Sequence, residues 1–326
     1  MKALVCEAYG PIANLVVKDI PSPMPGPKQV LIDVKAAAVN FPDALMVQGL
    51  YQVKPPLPFT PGAEIAGIVK AVGAEVKHHK VGDRVIALCS TGGFAEECLA
   101  DMARTMPLAA DMDFDTGAAL VLTYCTSLHA LKDCGHMQPG ETLVVLGAAG
   151  GVGISAIEIG KAMGARVIAA ASSADKLKLC RKVGADETVN YSTENLKDRI
   201  NELTGGKGAD LVYDPVGGPY TEPAVRALAW RGRLLIIGFA AGEIPKIPLN
   251  LALLKERSLV GVYWGDSTRH DPAGHLANLH QLHEWFAAGT IRPVVSESFP
   301  LAAAKEAIAK IANRQVKGKI VVNPSN

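Results

Sequence analysis

VVLGAAGGVGISAIEIGKAMGARVIAAASS, residues 144–173, decides how the rest of the chain is read. An apolar strand runs into Ala148-Ala149-Gly150-Gly151-Val152-Gly153. An apolar helix opens there, and a second strand, RVIAAA, begins thirteen residues after Gly153. Strand, glycine turn, helix and strand in that order form the setting in which a glycine fingerprint binds a dinucleotide. Gly150 lets backbone approach a pyrophosphate, and Gly153 lets the helix pack against the strand. Ala149, Gly151 and Val152 complete a turn whose helix start offers free N–H groups and about half a positive charge. Ala148 replaces the first fingerprint glycine, so the match is AxGxxG. The bland alternative is an ordinary turn rich in small residues; the correctly placed second strand argues against it.

The second strand ends in AAASSADK, residues 169–176, with no acid where an NAD site usually holds the ribose 2′-hydroxyl. Ser172 and Ser173 take that place, and Lys176 follows within one helical turn. Two hydroxyls and a cation suit a 2′-phosphate. Charge-assisted hydrogen bonds contribute about 1.5–3 kcal/mol each, so two would favour NADPH over NADH about a hundredfold or more. Tyr191, just after the third strand, is a further phosphate partner. Asp175 competes as a ribose acid, but it lies beyond the strand end, where an acid ordinarily serves a helix start.

Outward from this stretch, the rhythm is strand, helix, strand from about residue 122. Strands are expected at 142–147, 166–171, 187–190, 209–213, 232–238 and 259–264. Helices are expected at 152–163, 174–183, 193–203 and 219–229. Alternation of this kind implies an α/β fold with a doubly wound parallel sheet. Ligands of such sheets bind beyond the strand ends. That points to Gly217, to Gly238-Phe239-Ala240 and to Val262-Tyr263-Trp264. SLVGVYW, 258–264, reads as an apolar edge strand that a homodimer would cover.

Residues 1–121 differ. KQVLIDVKAAAV (28–39), EIAGIVKAV (64–72), DRVIAL (83–88) and GFAEECLA (93–100) read as strands among proline-rich loops. Short strands with few helices suggest a partly closed antiparallel β-barrel. A helix at 273–288, a strand at 291–298, a helix from Pro300 to Asn313 and a last strand at 318–322 are too little for a further domain. The expected division is 1–121 plus 266–326 as one domain and 122–265 as the nucleotide-binding domain.

The chain has 326 residues and a formal net charge of +1, which gives no reason to expect nucleic acid as a partner. MKALVCEAYG meets Glu7 early and is not expected to be a secretory signal. No apolar run is long enough for a membrane span. Six scattered cysteines without a CxxC suggest a reducing, cytosolic compartment and no structural zinc module. His270, His275, His280 and His283 form no HExxH and read as a solvated helix face.

NFPDALMVQGLY (40–51), PFTPGAEIAGIVKAVG (58–73), VGDRV (81–85), the AAGGVG turn, VGADETVNY (183–191), DLVYDPVGG (210–218), GRLLIIGFA (232–240) and KIPLNLALLKERSLVGVYWG (246–265) resemble the medium-chain dehydrogenases/reductases. Within that superfamily they resemble the zinc-independent quinone oxidoreductase branch. The resemblance spans nearly the whole chain in the family's order. It implies a GroES-like catalytic domain built from both chain ends around a Rossmann insertion.

The zinc alcohol dehydrogenases of the same superfamily carry a Cys near the position of Asn40 or Phe41, and a His in a GHE triplet. Here the triplet is Gly62-Ala63-Glu64. The third ligand position falls near Cys125, and one thiolate does not make a catalytic zinc site. No metal is therefore expected. Without a Lewis acid the acceptor must already be activated. The resemblance implies hydride transfer from NADPH to a quinone or another α,β-unsaturated carbonyl; an enoyl-thioester (acryloyl-type) reductase is the enzymatic alternative. A non-catalytic dinucleotide-binding protein is the alternative of another class. The resemblance also implies that Tyr51 donates a proton, and that Asn40 and Thr126 contact nicotinamide or substrate. Asp43 reads as a helix-start acid.

Overall fold

The structure is a computed structural model describing residues 1–325. It contains two compact units: Met1–Leu122 with the chain from Pro293 onward, and Thr123–Arg292.

The second unit carries six parallel strands, in the order Glu187–Asn190, Arg166–Ala171, Thr142–Val145, Ala209–Asp214, Leu228–Ile236, Ser258–Gly261. In chain order this is third, second, first, fourth, fifth, sixth, the doubly wound dinucleotide arrangement. Helices cover both faces, so the strands are apolar without alternation; Val144, Ile168, Ala170, Val212 and Leu234 are all fully buried. Helices Gly151–Ala162, Ala174–Lys182, Leu196–Leu203 and Thr221–Arg226 lie where the apolar spacing places them. The sixth strand is shorter than expected. It stops at Gly261, because Trp264 already opens a helix, Trp264–His270.

The expected return to the first region at residue 266 comes later. Trp264–His270 and Pro272–Ala287 belong to the second unit. Lys132 Nζ donates to Asn278 Oδ1 at 2.9 Å and to Gln281 Oε1 at 3.0 Å, while Leu282 and Phe286 are buried. These contacts fix the long helix to its own unit, and no local sequence pattern reports them.

In the first unit, the pairing path runs Val295–Pro300, Lys319–Asn323, Gln29–Ala38, Glu64–Val72, Arg84–Leu88, Thr105–Pro107, with Glu97–Asp101 also on Gln29–Ala38. All pairs are antiparallel except the first. Gln29–Ala38 changes partner along its length: residues 29–33 pair with 97–101, and residues 37–38 with 321–322. Among the described residues the path does not close on itself, so the first unit is an open sheet order and not a closed barrel. Pro300 ends a strand rather than starting a helix; the helix there is Ala304–Ala312. Among the described residues no helix is long and apolar enough to cross a membrane.

Candidate active site

The glycine turn has the geometry of a phosphate cradle. Gly147 starts it at φ +56°, and Gly150 is the N-cap of helix Gly151–Ala162, which no side chain caps. No side chain of the turn therefore competes for the first-turn N–H groups. A Cβ on Gly153 would lie 2.5 Å from Gly147 O and 2.7 Å from Ala148 C, so only glycine lets this helix sit on its strand. At Gly150 the nearest atom to such a Cβ would be Gly147 O at 3.4 Å, which leaves that side open. The two glycines therefore do different things: one packs, the other leaves room.

At the end of the second strand, Lys176 Nζ donates to Ser172 Oγ at 3.4 Å. Ser173 Oγ accepts from Lys176 N, also at 3.4 Å, and caps helix Ala174–Lys182. The expected group of three thus resolves into a hydroxyl–ammonium pair and a helix cap. Asp175 is exposed in the first turn of that helix. Tyr191 packs against Tyr220, ring centroids 4.4 Å apart. A cation, a hydroxyl and an uncapped glycine-rich helix start on one Rossmann sheet fit a dinucleotide that carries a 2′-phosphate.

Gly217 follows the fourth strand at φ +68°, held by Asp214 Oδ1, which accepts from Val216 N at 2.8 Å and Gly217 N at 2.9 Å. A Cβ there would meet Phe239 Cδ1 at 2.8 Å, so Gly217 and Gly238-Phe239-Ala240 form one corner at the carboxyl ends of the strands. Ala240 N closes it by donating to Pro215 O at 3.1 Å. Val262 N still donates to Ile236 O at 3.1 Å, and Tyr263 is 52% exposed. Trp264 departs from the expectation: it is buried, its ring 5.7 Å from that of His275, and so packs into the protein rather than facing a ligand. Thr126 is half-buried in helix Val121–Leu128.

In the first unit, four buried polar side chains meet. Lys319 Nζ donates to Asn40 Oδ1 at 2.5 Å and lies 3.5 Å from Glu64 Oε2. Asn40 Nδ2 donates to Ala38 O and to Glu64 Oε2, both at 3.3 Å. Leu122 N donates to Glu64 Oε1 at 2.7 Å, and Asn40 N to Asp43 Oδ2 at 2.7 Å. Burial pushes Asp43 up to about 7, against the pull of the Asn40 N–H and Lys319. Burial also raises Glu64 and lowers Lys319, each opposed by the other's charge.

This changes the reading of Asn40. Both of its amide N–H groups and its oxygen have protein partners, so it braces the loop instead of presenting a free amide to a ligand. Asp43 is the expected helix-start acid. Tyr51 is half-buried and packs on the first unit's core. Glu64 and Lys319 were not anticipated; the available signal was a lone Lys opening the apolar run KIVV and a lone Glu within PGAEIAG.

A second unanticipated pair lies in the other unit. Tyr124 OH donates to Glu158 Oε2, and Arg292 N donates to Oε1 at 3.1 Å. Burial pushes Glu158 up to about 7 despite both donors. Ala63 has no metal-binding atom, Cys125 is buried, and no three His, Cys, Asp or Glu residues among those described converge on a possible metal position.

Two family profiles match: the alcohol dehydrogenase GroES-like domain over residues 26–119, and zinc-binding dehydrogenase over residues 151–281. The chain is 38% identical to the quinone oxidoreductase-like protein 2 homolog of Nematostella vectensis, across 99% of this chain and 88% of that one. It is 35% identical to the quinone oxidoreductase of Pseudomonas aeruginosa, across 99% of both. Among solved structures it resembles the Escherichia coli quinone oxidoreductase complexed with NADPH, with a TM-score of 0.92 at 28% identity over 99% of this chain and 100% of that chain.

Proposed function

We propose, for a chain that belongs to the medium-chain dehydrogenase/reductase superfamily and to its quinone oxidoreductase branch, that it reduces a quinone or similar α,β-unsaturated carbonyl with NADPH and without zinc. That the chain is an oxidoreductase of the quinone reductase type follows from its relatives. Cofactor choice, acceptor and metal independence are the proposal. The observation that carries it is the Lys176–Ser172 pair beside the uncapped start of helix Gly151–Ala162.

NADPH, when bound, supplies the hydride. Ala149 to Gly153 would hold its pyrophosphate, Ser172 and Lys176 its 2′-phosphate, and the corner of Gly217, Gly238 and Phe239 its far end. Lys176 brings a full charge to a phosphate that an acid would repel. By the resemblance, Ala63 and either Asn40 or Phe41 stand near positions where zinc-dependent members carry ligands, and the Asn40 oxygen already accepts from Lys319. An acceptor that takes hydride at carbon needs only positioning and a proton at its developing oxyanion; the resemblance assigns that proton to Tyr51. Six free cysteines fit a reducing compartment. Ser258–Gly261, outermost in its sheet, is the edge along which two copies would pair.

The test is nicotinamide oxidation with ortho- and para-quinones, using NADPH and NADH in parallel, on protein assayed for metal. Strong preference for NADPH and full activity with substoichiometric zinc are expected. Equal use of NADH, or activity that tracks one zinc per chain, would overturn the reading.

A further inference from the structure

HALKDC, residues 129–134, is a π-helical segment in the second unit. Arg233, paired with Ser258 at the start of the sixth strand and bonded to Glu141 just before the first, donates from Nε to Gly135 O at 3.0 Å. The segment therefore lies at the amino ends of the parallel strands, and the glycine turn lies at their carboxyl ends. Nothing proposed above uses it.

Three of its side chains form a relay. His129 Nδ1 is 2.9 Å from Asp133 Oδ2, and His129 Nε2 is 3.4 Å from Cys134 Sγ. Asn278 Nδ2 donates to the same Asp133 oxygen at 2.8 Å, which fixes the carboxylate from the neighbouring helix. An α-helix brings only i+3 and i+4 beside residue i. Here Gly135 N donates to Ala130 O at 2.8 Å, an i+5 bond, and this wider turn carries Cys134 over His129 as well. Thiol and carboxylate sit on opposite nitrogens of one ring, so they cannot converge on a metal. They have instead the order nucleophile, base, orienting acid. Cys134 is also the one cysteine of six that is not buried.

We propose that Cys134 is a nucleophilic thiol that captures soft electrophiles of the quinone class, with His129 as its proton carrier and Asp133 as a positioning residue. The choice of a quinone rests on the function proposed above; the nucleophilicity does not. The Sγ proton passes to His129 Nε2. The sulfur lone pair then forms a C–S bond at the ring carbon β to a quinone carbonyl, and the displaced π electrons go to that carbonyl's oxygen. That oxygen takes the proton back from His129; the ring C–H proton then leaves to solvent as the second carbonyl oxygen takes one up, which gives the hydroquinone thioether. Two electrons enter the ring with the sulfur, and no external oxidant is required.

The full chain, without NADPH, is mixed with a para-quinone in one arm and with iodoacetamide in the other, and adducts are located by peptide mass. One adduct is expected, on Cys134, forming about tenfold or more faster than on a small free thiol at the same pH, the scale set by placing a base against a nucleophile. His129→Gln should return both rates to that of the free thiol, and Asp133→Asn should lower them less, with unchanged melting temperatures. If His129→Gln does not fold, Asp133→Asn carries the test, and an unchanged rate there overturns the proposal. So does an unmodified Cys134 in both arms. Reaction with iodoacetamide alone overturns the quinone class while leaving quinone reduction by NADPH, measured separately, untouched.

Discussion

Lys319 Nζ lies 3.5 Å from Glu64 Oε2, with the two side chains 5% and 0% exposed. Burial opposes both charges, and the pair persists because the Leu122 N–H and the Asn40 amide also serve the carboxylate. Its consequence is mechanical: the last strand is pinned to the loop that starts helix Phe41–Val47. Lys319→Met should cost about 3–5 kcal/mol, the usual loss when one member of a buried pair is left alone. Urea denaturation measures this, and Glu64→Leu added to Lys319→Met should recover part of the loss. An unshifted midpoint in Lys319→Met would mean the pair holds nothing.

Glu158 makes stability depend on pH. Its folded pKa of about 7 lies above the ordinary 4.5, so the folded state binds its proton more tightly than the unfolded chain does. Its contribution is complete below about pH 4.5 and is lost as pH rises through 7. Over that window the wild type should lose about 3 kcal/mol relative to Glu158→Gln, at about 1.4 kcal/mol per pH unit. Paired unfolding curves at several pH values would show parallel lines if Glu158 titrates normally.

The two turn glycines should separate by phenotype. Gly153→Ala places a methyl 2.5 Å from Gly147 O and should destabilise the fold by about 1–3 kcal/mol. Gly150→Ala meets nothing nearer than 3.4 Å and should leave the melting temperature within a few degrees while weakening NADPH binding. Calorimetry with a fluorescence titration of NADPH tells them apart. Equal effects of both changes on both readouts would remove the assignment.

Lys176→Ala should raise the NADPH Michaelis constant about ten- to hundredfold, the loss of one charge-assisted contact, and leave that for NADH unaltered. A uniform change for both cofactors would place Lys176 outside the 2′-phosphate site.

Tyr51→Phe should lower the turnover number about ten- to hundredfold or more, the ordinary worth of a positioned proton donor, while NADPH affinity holds. Full turnover with a quinone acceptor would leave Tyr51 a packing residue.

The α/β architecture was legible because its signals are local. Strands 166–171 and 187–190 and helix Ala174–Lys182 fall where apolar runs and a serine cap put them, and Gly153 is dictated by a contact only six residues back along the chain. The proposed cofactor site follows the same elements: Gly150 opens one helix, and Ser172 and Lys176 lie at the end of the next strand and in the first turn of the helix after it. The surroundings of Asn40 were not legible in this way, since they are made by Lys319, 279 residues along the chain.

The sequence by itself determined the periodic elements, the parallel order they imply and the glycine cradle, because hydrogen bonding within a helix and packing of successive βα units act over a few residues. Only the tertiary structure decided that Lys319 would close on Glu64, that residues 264–287 would stay with the second unit, and that a π turn would set Cys134 against His129. Those outcomes depend on burial and on which polar groups find partners across long loops, and burial belongs to the folded chain as a whole.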